Sequence, residues 1–164
     1  MTPLQLASAY ATIGALGVHH PVSILRVDSP PPDERVLDAH VARELLGLLQ
    51  AVTTQEGATG VKASIPGYRV AGKTGTAYKY INGAYSTDHY TSVFAGVAPA
   101  SAPRLAAVVV IDDPTAGRHM GGDVSAPVFS AVVGGALRLL GVAPDDVAPP
   151  TGAPLLSGQQ VARR

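Results

Sequence analysis

The chain is 164 residues long and 46% hydrophobic, which is enough to bury the core of a single domain. Its 12 basic and 12 acidic residues give a formal net charge of zero, and no cluster of Lys and Arg marks a nucleic-acid-binding surface, so no nucleic-acid partner is expected. Cysteine is absent, which excludes a disulfide framework and leaves the redox compartment open.

A helix is predicted at the start of the chain. The tetrapeptide Thr2-Pro3-Leu4-Gln5 has the pattern of a capping box with proline at the first helical position, and the helix is expected to end near Gly17. The residues predicted to face the core are Leu6, Tyr10 and Ile13. After this helix, residues 21–28 are predicted to form a short strand, and residues 29–33, with three prolines, a loop.

A second helix is predicted over residues 38–53, with Asp38 as its N-cap. Apolar side chains recur along it at helical spacing. The predicted core-facing residues are Val41, Leu45, Leu48 and Val52. The polar residues 53–60 that follow include glycine, and we predict a surface connection there.

Three strands are predicted in the middle of the chain, at about residues 68–81, 91–98 and 104–112. β-Branched and aromatic residues favour extended backbone in the first of them, and Asn82-Gly83 is typical of a hairpin turn. The strands are expected to form an antiparallel meander that packs under a final helix.

The final helix is predicted within residues 124–143, which are mostly small and apolar and nearly long enough to cross a membrane. Pro127 and Arg138 argue against a membrane span, which remains the less favoured alternative. The residues predicted to face the sheet are Val128, Val132, Ala136 and Leu139. Residues 1–143 are therefore expected to form one globular portion, and the Pro- and Gly-rich residues 144–164 a flexible tail.

The decapeptide at residues 67–76 matches two unrelated catalytic patterns. The residues that fit the phosphate-binding pattern G-x-x-x-x-G-K-[ST] are Gly67, Gly72, Lys73 and Thr74. That loop requires a buried strand before it and a helix after it. Pro66 interrupts the segment before it, and residues 75–83 oppose a helix, so a P-loop-type nucleotide hydrolase is only an alternative. Residues 105–113 resemble a magnesium-holding strand but are interpreted as a buried strand ending in a turn.

The second pattern is the K-T-G strand of penicillin-interacting serine enzymes, which the extended character of the segment favours. The hydroxyls of Thr74 and Thr76 and the ammonium of Lys73 offer hydrogen bonds and positive charge to a terminal carboxylate. Gly75 leaves room for a ligand backbone along the strand. Because strand residues alternate between faces, Lys73 joins the two threonines in one site only if it curls round the strand edge.

Several ordered segments, considered together, resemble the C-terminal part of the transpeptidase domain of class B penicillin-binding proteins, in particular the division-specific septal type. The segments that carry the resemblance are residues 1–7, 67–77, 95–100, 108–114 and 121–129. The resemblance implies an α/β fold of α+β type, the penicillin-binding-protein/β-lactamase-like transpeptidase fold, present here in part as antiparallel sheet strands with flanking helices. Residues 118–122 form a predicted glycine-rich turn. Septal members often have aromatic residues in place of His119 and Met120, which leaves the role of this turn open.

The resemblance further implies a serine D,D-transpeptidase that cross-links peptidoglycan stem peptides through an acyl-enzyme and is acylated by β-lactams. Lys73 would help to position the site and its proton network, and Thr74, Gly75 and Thr76 would bind the substrate or β-lactam carboxylate. The Thr76 backbone N–H would form half of the oxyanion hole. The implied partners are D-Ala-D-Ala peptides, β-lactams, the upstream part of the same domain and division-machinery proteins. The implied location is the periplasmic face of the inner membrane, with the anchor outside this chain.

The family's nucleophile is not found in this sequence. No serine is followed three positions later by lysine, and Asn82, the single asparagine, does not belong to a Ser-x-Asn element. The chain alone is therefore expected to be inactive. Three classes remain: part of a serine acyltransferase, a nucleotide hydrolase, and a non-catalytic peptide-binding remnant. The five histidines show no metal-site spacing, and neither a metal nor a cofactor is expected.

Overall fold

A computed structural model of the chain describes residues 1–147, which form a three-stranded antiparallel sheet between helices on both faces. The helices are α1 (Pro3–Gly14), α2 (Ala39–Thr54) and α3 (Gly121–Leu139). The strands of the main sheet are β3 (Ala71–Ile81), β4 (Ala84–Ala98) and β5 (Leu105–Asp112), in the order β3-β4-β5. A small separate pair, β1 (Val18–His19) and β2 (Glu34–Arg35), joins α1 to α2, and a short 3-10 helix lies at Val61–Ala63.

The predicted helix caps are confirmed. The side chain of Thr2 accepts a hydrogen bond from the Gln5 backbone N–H at 3.2 Å, and the Gln5 side chain accepts one from the Thr2 N–H at 2.8 Å. Asp38 accepts hydrogen bonds from the N–H groups of the first turn of α2. Each cap satisfies backbone donors that have no partner within the helix, so both helices begin where the sequence predicts.

The predicted buried faces of α2 and α3 are wrong by about one residue. In α2, Ala42 and Leu46 are buried, whereas the predicted Leu48 is 69% exposed. In α3, Phe129 and Val133 are buried, whereas the predicted Val132 is 60% exposed. The inner faces contain small residues, which let the helices approach the sheet closely. Several aliphatic residues of the predicted faces are exposed instead, namely Val41, Leu48, Val128 and Val132.

Two cores lie on opposite faces of the sheet. Under α3, the core is built from aromatic and aliphatic side chains around Phe94 of β4 and Phe129 of α3, whose rings are 4.8 Å apart. On the other face, Leu46 of α2 packs with Ala71, Val97 and Tyr10. Both faces of the sheet are therefore covered at the start of β3, directly before the segment Lys73–Thr76.

The three main strands are predicted correctly, but some of their ends differ. The strand β4 begins at Ala84 rather than near residue 91, because residues 84–90 continue to pair with β3 beyond the end of β5. Residues 77–90 therefore form a two-stranded ribbon, which we call the projecting hairpin. The predicted strand at residues 21–28 is wrong: that segment has no regular structure, and the short strand lies at Val18–His19.

The segment after α3 packs back onto the start of β3. The carboxylate of Asp145 accepts hydrogen bonds from the backbone N–H of Arg69 at 2.7 Å and the hydroxyl of Ser101 at 2.6 Å. The first residues of the predicted tail are thus in contact with the domain, and residues 148–164 lie outside the described residues. Within residues 1–147, no helix is both long and apolar enough to cross a membrane, and α3 packs on the sheet instead.

Candidate functional site

The lysine-threonine segment lies in the first half of β3, an outer strand of the main sheet. Lys73, Thr74, Gly75 and Thr76 pair in register with Ala95, Phe94, Val93 and Ser92 of β4. Upstream of Lys73 the strand is buried, and from Lys73 onward most of its residues are exposed. The segment therefore lies where the strand emerges from the covered part of the sheet, with one edge unpaired in the described part of the chain.

The Lys73 side chain curls back toward the threonines. Its Nζ lies 3.1 Å from the backbone carbonyl oxygen of Thr74 and 3.4 Å from Thr74 Oγ1. Strand alternation starts the Lys73 side chain on the face opposite the threonines. The long stem thus brings the ammonium to the strand edge, next to the first hydroxyl.

The Thr74 hydroxyl is held from outside the strand. Thr59, in the connection between α2 and the 3-10 helix, places its Oγ1 at 2.8 Å from Thr74 Oγ1. The end of this connection is packed rather than free, because Gly60 is buried and its N–H donates to the carbonyl of Val52 at 3.0 Å. The predicted surface connection therefore contributes a side chain directly to the site.

The Thr76 hydroxyl is bonded to the N-terminus of α3. The backbone N–H of Gly121, in the first turn of the helix, donates to Thr76 Oγ1 at 3.0 Å. A Cβ on Gly121 would lie 2.4 Å from the carbonyl oxygens of Gly75 and Val93, and one on Gly122 would lie 2.0 Å from that of Thr59. Gly121 thus lets α3 approach the sheet closely, and Gly122 lets it approach the connection that carries Thr59.

A cavity of about 350 Å³ lies between the strand, the α2–β3 connection and the start of α3. Thr74 and Thr76 line it together with Thr59, Lys62 and Asp123. Lys62 donates a hydrogen bond to the Asp123 carboxylate, and this bond and the lysine's charge lower the pKa of Asp123 below its usual value. The ion pair joins the 3-10 helix to the first turn of α3 beside the cavity.

Aromatic rings connect the turn before α3 to the projecting hairpin. The imidazole of His119 stacks on Tyr90, with ring centroids 3.9 Å apart and planes 10° apart. Tyr90 in turn contacts Tyr78, its partner in register, at 5.2 Å between centroids. The turn before α3, whose role the sequence leaves open, therefore packs on the hairpin through His119.

The phosphate-loop interpretation does not fit this geometry. Lys73 and Thr74 lie within a strand, and the chain continues as that strand to Ile81 instead of starting a helix after Thr74. Asp112 and Asp113, at the end of β5, pair with Lys79 at 3.0 Å and with His89 at 2.7 Å. Within residues 1–147, no group of three His, Cys, Asp or Glu side chains could hold a metal ion.

Sequence reasoning missed the residues that surround the strand. Thr59, Lys62 and Asp123 line the cavity, and Gly121 bonds Thr76, although none was predicted at the site. A signal for this contact is present in the sequence, because Gly121 and Gly122 stand at the start of an apolar helix and a Gly-Gly pair allows a close approach of backbones.

Comparisons with known proteins agree with this architecture. The family model described as "Penicillin binding protein transpeptidase domain" matches residues 1–134. The chain is 51% identical over 145 residues to the peptidoglycan D,D-transpeptidase FtsI of Escherichia coli K12, covering 88% of this chain and 24% of that protein. It is 40% identical over 141 residues to the probable peptidoglycan D,D-transpeptidase PenA of Neisseria meningitidis serogroup A, covering 86% of this chain and 24% of that protein.

A solved structure has the same fold. The apo structure of the TP domain from Burkholderia pseudomallei penicillin-binding protein 3 matches with a TM-score of 0.79 at 43% sequence identity, covering 88% of this chain and 44% of that chain. The chain spans about a quarter of the length of the two curated relatives, since it covers 24% of each.

Proposed function

Because the chain belongs to the penicillin-binding protein transpeptidase domain family, we propose that its exposed β3 edge binds the C-terminal carboxylate of a D-Ala-D-Ala stem peptide or of a β-lactam. The proposed ligand-binding groups are the hydroxyls of Thr74 and Thr76, with the Lys73 ammonium beside them. The observation that carries this proposal is the convergence of these three groups at the point where β3 emerges from the buried sheet.

The polarity of the Thr76 hydroxyl supports an anionic ligand. A hydroxyl has one proton to donate, and Thr76 Oγ1 already accepts a hydrogen bond from Gly121 N–H. Its own proton therefore remains available for an acceptor such as a carboxylate oxygen. The start of α3 adds the positive end of the helix dipole to the same place.

Lys73 and the Thr76 backbone are assigned roles in acyl transfer. The Lys73 ammonium at the strand edge orients the ligand and takes part in a proton network with the attacking serine. The Thr76 N–H forms half of an oxyanion hole, and the loss of one such donor typically costs about 2.7 to 4 kcal/mol in acyl transfer. The serine itself belongs to a Ser-x-x-Lys element that this sequence does not contain.

The same family membership supports a proposal for the wider role. We assign the parent enzyme to the cross-linking of stem peptides during septal cell-wall synthesis, at the periplasmic face of the inner membrane, in contact with the upstream part of its domain and with division proteins. The chain alone is assigned a binding role without turnover, because both the Ser-x-x-Lys and the Ser-x-Asn elements are absent from it.

The proposal is tested by titrating the chain with a peptide that ends in D-Ala-D-Ala, using calorimetry. Thr76→Val and Thr74→Val are isosteric and keep a β-branched residue in the strand, yet each removes one hydrogen bond to the carboxylate. We expect each to weaken binding by about 10- to 100-fold, since hydrogen bonds to charged groups contribute about 1.5 to 3 kcal/mol. The control is Thr54→Val, an exposed threonine on α2.

Two outcomes would contradict the proposal. The first is equal affinity for the D-Ala-D-Ala peptide and its C-terminal amide, because the amide lacks the charge that the site is expected to bind. The second is an unchanged affinity in both threonine variants. A stable adduct with labelled penicillin would overturn the assignment of a binding-only role to the isolated chain.

A further inference from the structure

The projecting hairpin exposes an unusual number of aromatic rings. The chain has six tyrosines, and four of them, Tyr78, Tyr80, Tyr85 and Tyr90, lie in this ribbon. Tyr78, Tyr80 and Tyr85 are 58%, 66% and 73% exposed. A group of exposed aromatic rings of this kind marks a binding surface in many soluble proteins. These exposed rings do not fill a core, because the ribbon extends beyond the end of β5.

The exposed rings are ordered by contacts within the hairpin. Tyr80 and Tyr85 are partners in register and meet edge to face, with centroids 5.3 Å apart. The Tyr80 hydroxyl donates to the Gly83 carbonyl oxygen at 2.8 Å, which fixes that ring. Ordered rings lose little conformational freedom when a ligand stacks on them, and this favours binding.

Tyr78 continues the row of the carboxylate-binding groups, and Tyr80 follows it along β3 after a shift in the register between β3 and β4. Two-residue alternation places Tyr78 on the same side of β3 as Thr74 and Thr76. Upstream of Lys73 the strand is buried, so an extended ligand anchored at the threonines has exposed strand to follow only toward the hairpin. Tyr80 lies six positions beyond Thr74, roughly 20 Å along the strand at about 3.4 Å per residue.

The length of a stem peptide matches this distance. A peptide of about four to six residues spans roughly 13 to 20 Å when extended. With its carboxylate at the threonines, its other end therefore reaches the tyrosines. In peptidoglycan that other end is attached to the glycan.

We propose that the tyrosine surface formed by Tyr78, Tyr80 and Tyr85 binds the sugar rings to which the stem peptide is attached. This inference rests on the proposed function, because it takes the position of the peptide from the threonine site. A sugar ring has an apolar C–H face and a hydroxyl rim, which match the apolar body and the polar tip of tyrosine. The nearby charge of Lys79 is neutralised by Asp112 at 3.0 Å, which suits an uncharged ligand.

The test compares three ligands on the full chain: a D-Ala-D-Ala stem peptide, the same peptide joined to its disaccharide, and the disaccharide alone. The chain has no tryptophan, so its intrinsic fluorescence comes from tyrosine and reports mainly on the hairpin, while calorimetry gives the affinity. We expect the disaccharide-peptide to bind about tenfold more tightly than the peptide, with a change in tyrosine fluorescence that the peptide alone does not cause.

The discriminating variant is the double substitution Tyr80→Thr/Tyr85→Thr. Threonine keeps a high strand propensity, and both positions are exposed, so the fold is expected to persist. The variant should lose the tenfold gain from the disaccharide and keep the affinity for the peptide. Val132→Ser, which removes an exposed apolar side chain from α3, is the matched control and should leave both affinities unchanged.

The possible failures are distinguishable. Equal affinity for the peptide and the disaccharide-peptide overturns the sugar-binding inference and leaves the proposed function intact. Binding of the disaccharide alone without any binding of the peptide contradicts the proposed function. A variant that changes only self-association in sedimentation, with no change in the disaccharide gain, identifies the rings as a protein contact and overturns the inference.

Discussion

The base and the tip of the β3–β4 hairpin belong to the same pair of strands, yet their surroundings differ completely. At the base, Phe94 and Val97 are buried between helices on both faces of the sheet. At the tip, the tyrosine surface is open to solvent, and β5 has already ended. The comparison shows that the tip is held by strand pairing and a few side-chain contacts, such as His119 on Tyr90 and Asp112 on Lys79, whereas helix packing fixes the base. Stability should therefore depend on the base and ligand recognition on the point where the two meet.

The largest effect should come from the centre of the base. Phe94→Ala removes a fully buried ring that packs on Phe129, and we expect it to lower the free energy of unfolding by about 3 to 5 kcal/mol. Urea denaturation followed by circular dichroism measures this loss. Tyr85→Thr at the tip is the control, with an expected change of no more than about 0.5 kcal/mol. Equal losses at the two positions would contradict the difference between base and tip.

A smaller loss is expected where α3 meets the strand. Gly121→Ala places a Cβ against two carbonyl oxygens, and the resulting shift of the helix should cost about 1 to 3 kcal/mol. Gly135→Ala lies in the same helix with no heavy atom within 4 Å of the added carbon, so it should instead stabilise the chain by about 0.5 to 1 kcal/mol. Thermal or urea denaturation measures the two changes in stability, which should have opposite signs. Destabilisation by both substitutions would contradict the prediction for Gly135→Ala.

A buried hydrogen bond at the start of β3 should have a similar effect. Thr53 Oγ1 donates to the Val70 carbonyl oxygen at 2.6 Å, and Thr53→Val leaves that buried carbonyl without this donor. We expect a loss of about 1 to 3 kcal/mol. Thr54→Val, whose hydroxyl bonds only within its own exposed turn, should cost less than about 0.5 kcal/mol. Equal costs in urea denaturation would mean that the Val70 bond contributes nothing of its own.

The contact after α3 predicts a dependence on pH. Burial raises the pKa of Asp145, but hydrogen bonds from Ser101 and the Arg69 backbone outweigh it, so the pKa lies below its usual value. A lowered pKa in the folded state stabilises the fold above the unfolded pKa of about 3.9, and this stabilisation is lost as the pH falls through the folded pKa.

The variant Asp145→Asn should therefore be less stable than the parent chain at neutral pH, with the difference shrinking on acidification. Denaturation curves recorded between neutral pH and the acid limit of the fold measure this. Asp146→Asn, at an exposed neighbour, is the control and should leave the stability at neutral pH close to that of the parent chain. A stability difference for Asp145→Asn that stays constant down to the lowest pH would contradict the assignment to ionisation.

The smallest effect on stability is expected at the tip of the hairpin. The double substitution Tyr80→Thr/Tyr85→Thr should change the unfolding free energy by no more than about 0.5 kcal/mol, since both rings are more than half exposed. Thermal denaturation checks it. A loss as large as that of Phe94→Ala would show that the tip supports the core, and the tyrosines would then need no ligand to explain them.

The sequence predicted well what local chemistry determines. The Thr2 and Asp38 caps and the extended lysine-threonine segment are set by residues within a few positions of one another. The predicted buried face of α2 was wrong because Val41 and Leu45 have the same spacing as Ala42 and Leu46 of the true face. Spacing alone does not choose between adjacent stripes, and packing against the sheet selected the stripe through Ala42 in α2 and the stripe through Phe129 in α3.

The residues that surround the candidate site could not be predicted from local sequence patterns. Thr59 meets Thr74 across 15 positions, and Gly121 meets Thr76 across 45. Neither contact can be predicted from a local sequence pattern, because each depends on how α2, α3 and the sheet pack together in the tertiary structure. The strand was predictable from its own residues, whereas its polar neighbours followed from tertiary structure.

The bond between Gly121 N–H and Thr76 Oγ1 also makes one amide of the chain a spectroscopic reporter. When the Thr76 hydroxyl donates a hydrogen bond to a bound anion, Thr76 Oγ1 becomes a stronger acceptor for the Gly121 N–H, because neighbouring hydrogen bonds polarise one another. The Gly121 amide proton should then move downfield in a nuclear magnetic resonance spectrum and exchange more slowly with solvent. Occupancy of the strand can thus be observed at a glycine that belongs to another element of the fold.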